Sequence, residues 1–142
     1  MRITGQFTTT AGIGALRSLH ADPKKLSAVP AFAEVEPAVG GGFAVVLTPA
    51  TPFGRQPIDA RIVTERADDT GSTLRVHGRR GPHVIDVHLV INLGDVAPHT
   101  VVRWEAEVEV RGPAASVAQR VAPDVVGHAI GDLLMATAAA CA

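Results

Sequence analysis

Between Phe32 and Arg111 nearly every segment alternates apolar and polar residues, and only one long helical stretch follows to cover the sheet they would make. The last of these segments is the clearest. Val102, Trp104, Ala106, Val108 and Val110 face one way, while Arg103, Glu105, Glu107, Glu109 and Arg111 face the other. That period of two belongs to an antiparallel strand with one wet face. Upstream, "FAEVEPAV" and "FAVVLTP" flank Gly40-Gly41-Gly42, residues suited to a tight reversal. "PIDARIVTER", "STLRVHGR" and "HVIDVHLVINL" follow, separated by the turn segments "ADDTGS" and "GRRGPH".

The start of the chain adds one strand and two short helices. "RITGQFTT" puts Ile3 and Phe7 on one side of a strand with Gly5 between them. Ile13, Leu16 and Leu19 have helical spacing, and Asp22-Pro23 opens a second short helix that Pro30 ends. After Gly112-Pro113 the pattern stays helical to the end. Pro123 lacks a donor and crowds the preceding turn, so this stretch is either one kinked helix or two.

The inward candidates on that helix, Val117, Val121, Val125, Ala129, Leu133, Ala136 and Ala140, are mostly small. A broad apolar sheet facing a slim helix leaves volume that interiors do not tolerate empty. Either Ala permits close helix–sheet approach, or a ligand fills the gap. The expected cavity is lined by Phe32, Phe43, Phe53, Ile58, Ile62, Leu74, Val76, Val102, Trp104, Val121, Val125 and Leu133. His128 and Asp132, one helical turn apart, would supply its polar handle.

Composition narrows the function classes. The 142 residues make one domain spanning 1–142, and a net charge of −1 gives no basic field for nucleic acid. With four Phe, one Trp and no Tyr, there are few platforms for stacking bases. Cys141 stands alone, which rules out an intrachain disulfide and suits a reducing compartment. "MRITGQFTTT" lacks the apolar run of a signal peptide, and no stretch reaches ~18 consecutive apolar residues. The reading is a cytoplasmic protein without a spanning segment.

Other constellations have plainer explanations. Asp86 and His88, near His77 and His83, are metal-ligand types, but they alternate with Ile85, Val87 and Leu89 and so point to solvent. No metal or other cofactor is expected. "GRRG" at 78–81 reads as a solvated hairpin tip, and "PATPFGRQP" at 49–57 as a cavity lid carrying Phe53 or a rigid loop with Phe53 packed down. No nucleophile elbow, HExxH or Cys–His pattern is present, so no catalytic residue is assigned.

The order strand, helix pair, six strands, long helix resembles the helix-grip superfamily (START/Bet v1-like, or SRPBCC). Within it, the chain resembles the family of CoxG, a component of carbon monoxide dehydrogenase. The residues carrying this are Met1-x-Ile3-x-Gly5-x-Phe7, Asp22-Pro23-x-x-Leu26-x-x-Val29-Pro30 and the Gly112-led final helix. Ala31 stands where that family usually has Gly. The resemblance implies an α+β helix-grip fold, a curved antiparallel sheet of about seven strands wrapped around the C-terminal helix. It also implies a cavity for an apolar small molecule, such as a respiratory quinone or lipid. It further implies an accessory role beside a CO dehydrogenase-type molybdenum hydroxylase and peripheral contact with the inner face of the membrane. Two alternatives stand beside it. One is a polyketide cyclase or dehydratase-like enzyme using His128, Asp132 and Asp86. The other is a ligand-free module docking through Glu105, Glu107 and Glu109.

Overall fold

Burial along the last strand follows the alternation of its sequence: Val102, Trp104, Ala106, Val108 and Val110 are buried, whereas Arg103, Glu107, Glu109 and Arg111 are exposed. The computed structural model describes residues 1–51, 54–55, 57–113 and 115–141; the side chains of residues 21, 23–24, 51, 115–119 and 121–122 are outside that description. The chain begins with β1 (Arg2–Thr9), α1 (Ile13–Ala21) and a 3-10 helix (Pro23–Ala28). Strands β2 (Phe32–Pro37), β3 (Phe43–Leu47), β4 (Ala50–Thr51), β5 (Gly54–Arg55) and β6 (Ile58–Ala67) follow. The long strands β7 (Gly71–Arg80), β8 (His83–Val96) and β9 (His99–Arg111) lead into α2 (Ala115–Cys141).

Among the described residues, seven strands form one antiparallel sheet in the order β1-β9-β8-β7-β6-β3-β2, and β4 pairs with β5 separately. Directly opposed residues share a face, so the register assigns the concave side. Val108, Val87, Val76, Ile62 and Phe43 lie in one row across five strands, and Ala106, Leu89, Leu74 and Thr64 lie in the next. The three glycines at 40–42 all have positive φ, +88°, +106° and +69°, which joins β2 to β3 at low cost. Gly5 serves a different purpose. It sits opposite Trp104, and a Cβ there would stand 2.5 Å from the indole ring.

Helix α2 runs unbroken through Pro123, so the single-helix alternative is the one adopted. Its most buried residues are Ile130, Leu134, Thr137 and Ala138. Sequence spacing suggests instead an inward stripe through Val125, Ala129, Leu133, Ala136 and Ala140. Val125, Ala129 and Leu133 do face inward, half-buried because they border open space. Ala136 is half-buried against the core, Ala140 is exposed and so departs from the stripe, and the side chains of Val117 and Val121 lie outside the described residues. The helix is apolar nearly all round, so spacing alone does not single out its buried face.

Two core clusters result. One joins β1, β8, β9 and α2 through Ile91, Val102, Trp104, Ala106, Ile130 and Leu134. The other gathers Leu19, Leu26, Val29, Phe32, Phe43 and Ile62 under the 3-10 helix. Leu133 and Ala136 of α2 pack against the second cluster, and Cys141 against both. The convex face is charged, with cross-strand ion pairs Arg2–Glu105, Arg75–Glu65 (3.0 Å) and Arg111–Asp86.

Candidate ligand-binding site

The two clusters do not close on one another. A cavity of about 190 Å3 separates them, bounded by the concave sheet, α2 and the 3-10 helix. It exceeds the roughly 150 Å3 of an engineered apolar cavity that stays dry and admits benzene. Leu89, Ile91, Ile130 and Leu134 border it from the first cluster, and Leu26, Phe32, Phe43, Leu47, Ala60 and Ile62 from the second. Pro49, itself fully buried, adds to the wall just before β4.

Eight of the residues anticipated from the sequence line this space: Phe32, Phe43, Ile58, Ile62, Leu74, Val76, Val125 and Leu133. Val102 and Trp104 face inward, but they are packed in the β1–β9 cluster and are not among the lining residues. Trp104 lies over Gly5 of the edge strand β1. Phe53 and the side chains of Val117 and Val121 lie outside the described residues, and the lid reading of 49–57, which turns on Phe53, lies there with them.

The expected polar handle is placed elsewhere. His128 is exposed. Asp132 turns toward β4 and β5, where its Oδ2 accepts the Ala50 N–H at 2.9 Å and stands 3.5 Å from Arg55 Nη1. It borders a separate surface cleft of about 620 Å3, together with Pro30, Ala31, Ala136 and Ala139. Asp86 is on the convex face, bonded to His77 Nδ1 at 2.6 Å and paired with Arg111. The three groups that an enzymatic reading required therefore stand away from the cavity.

Among the described residues, the polar ones that line it are His20, Thr64 and Thr137. Thr137 spends its hydroxyl proton on the Leu134 carbonyl at 2.7 Å, and Thr64 is exposed. His20 is the group that sequence reasoning missed. Its signal was present, because it lies one helical turn beyond Leu16, which is buried. Its Nε2 is buried and, among the described residues, has no hydrogen-bond partner. Burial pushes the imidazole pKa below its usual value, so the ring is neutral at neutral pH.

Two other features carry less. His88 Nε2 lies 3.2 Å from Glu65, but among the described residues no group of three or more His, Cys, Asp or Glu converges as a metal site. The "GRRG" arginines belong to the end of β7 rather than to the turn, and Gly78 lines the cavity. Gly78 leaves room there, since a Cβ would stand 3.2 Å from Ile58.

A seven-stranded antiparallel sheet curled about one long C-terminal helix, with apolar space between them, defines a helix-grip protein. Solved structures share this fold. A conserved protein from Geobacillus kaustophilus has 20% identity and a TM-score of 0.79, over 98% of this chain and 93% of that one. A START superfamily protein from Mycobacterium smegmatis has 14% identity and a TM-score of 0.55, over 98% and 92%. Ara h 8.0201 has 13% identity and a TM-score of 0.60, over 98% and 95%. The family model for CoxG of carbon monoxide dehydrogenase matches residues 5–140, and the chain belongs to that family. No curated protein sequence matches the chain.

Proposed function

We propose that this protein binds an apolar small molecule, a respiratory quinone or another lipid, in the cavity between α2 and the sheet. It acts as carrier or accessory to a CO dehydrogenase-type molybdenum hydroxylase. The observation that carries this reading is the apolar cavity of about 190 Å3. Apolar walls that face no partner atoms forfeit packing contacts. An occupant recovers the lost contacts, whereas selection for stability alone favours a filled core.

The accessory role rests on family membership. Contact with the inner face of the membrane is the natural place to load a lipophilic ligand. The segment Pro123–Cys141 suits such contact, having a mean hydropathy of 1.2 and an exposed Met135. Purification without detergent, followed by mass spectrometry of an organic extract, tests the ligand. The expected result is one apolar compound in near-stoichiometric amount. An empty protein that also fails to take up menadione, a small naphthoquinone, overturns the reading. Recovery of a molybdenum hydroxylase on the tagged protein tests the partner separately.

A further inference from the structure

We propose that His20 is the polar anchor of this cavity and that it selects neutral apolar ligands carrying a hydroxyl or a carbonyl. The proposal rests on the cavity being a ligand site, as argued above, and adds what the ligand must carry. A buried ring nitrogen without a partner is costly, and folded proteins leave few such groups unexplained. His20 Nε2 is one, and it belongs to a residue of the cavity wall. Thr137 has already given its proton to Leu134. Thr137 can still only accept, so among the described residues of this wall His20 is the one whose buried polar atom has no partner at all.

The same wall decides the charge of the guest. Among the described residues, no Lys, Arg, Asp or Glu lines this space. A carboxylate or ammonium drawn into this space would lose its hydration and meet no counter-ion, an unfavourable exchange. A neutral imidazole Nε2 donates in one tautomer and accepts in the other. A hydroxyl satisfies either tautomer, and a carbonyl satisfies the one in which Nε2 carries the proton. Free fatty-acid anions and amines are thereby disfavoured, while phenols, quinols and quinones fit.

Three probes of one shape separate these features: naphthalene, 1-naphthol and 1-naphthoate, titrated into the wild-type chain by calorimetry. One good hydrogen bond predicts 1-naphthol to bind about tenfold more tightly than naphthalene, with 1-naphthoate weakest. His20→Leu should remove the preference for naphthol while leaving naphthalene affinity within about twofold. Equal binding of naphthol and naphthalene by the wild type overturns the anchor and leaves the cavity reading intact. If no probe binds, the cavity reading fails and the anchor with it. Should His20→Leu not fold, nitrogen NMR of wild-type His20 decides. Naphthol must shift Nε2 and naphthalene must not; identical responses overturn the proposal.

Discussion

Asp132 Oδ2, on α2, accepts the backbone N–H of Ala50 across 82 positions of sequence at 2.9 Å. The same oxygen stands 3.5 Å from Arg55 Nη1, and Arg55 Nη1 also donates to the Thr48 carbonyl at 3.0 Å. One carboxylate thus fixes the short β4–β5 hairpin against the helix, and with it Pro49 in the cavity wall.

Removing that acceptor should loosen the hairpin first. Asp132→Ala is expected to lose about 1–2 kcal/mol, while Asp132→Asn, which keeps an oxygen for the Ala50 N–H, loses less. Amide hydrogen exchange at Ala50 is the local readout. It should accelerate in the alanine variant well before global unfolding, and unchanged protection at Ala50 would deny the latch.

Gly5 and Trp104 give a steric prediction. A methyl group at Gly5 would meet Trp104 Cε2 and Cζ2 at 2.5 Å, well inside van der Waals contact. Gly5→Ala should destabilise by about 1–3 kcal/mol, because an overpacked core must move a large ring. Tryptophan fluorescence reports this directly, since Trp104 is the one tryptophan in the chain. An unchanged emission maximum together with unchanged stability would mean that the ring has free space.

Filling the cavity separates a ligand site from a packing fault. Ala129 lines it from α2 and is half-buried. Ala129→Leu is expected to raise stability by about 0.5–2 kcal/mol and to abolish naphthalene uptake. Thermal unfolding and calorimetry check the two halves. A stabilised variant that still binds the probe would place binding elsewhere.

The pH dependence follows from His20. Burial lowers its pKa in the folded chain relative to the ordinary 6.5. Just below 6.5 the unfolded chain therefore binds a proton that the folded chain refuses. Stability rises with pH across that window and falls as pH drops through it. Denaturant unfolding between about pH 7 and 5 should show the wild type losing ground to His20→Leu as acid is added. Parallel curves for the two proteins would refute the assignment.

The concave face was legible because its signal is local. Val76 stands between Arg75 and His77, and Ile58, Ala60 and Ile62 alternate with Asp59 and Arg61; pairing then brings Val76, Ile62 and Phe43 into one row. Which part of that face is packed and which is open was not legible. Val102 and Trp104 point the same way as Val76, yet they lie in a filled region, because the path of α2 across the sheet is set by tertiary contacts. On α2 itself, Ile130 and Leu134 were not distinguishable from Val125 and Ala129 in a stretch apolar on every side. His20 has helical spacing from Leu16 to recommend it, but its place in the wall depends on how α1 docks, which no local pattern encodes. The strands β4 and β5, two residues each, are too short for any period to register.

Ile3 sits opposite Ala106 at one edge of the sheet, with most of the polypeptide between them. A ribosome releases the first strand long before its neighbour has been made, so that neighbour's arrival is a late event in biogenesis. Until then the greasy trough lies open, and α2, synthesised after every strand, is what shuts it. Contacts so distant along the chain slow folding and prolong the exposure of unpaired edges. A guest molecule present at that moment meets the trough already open, whereas one arriving later has to pass the wall that α2 completes.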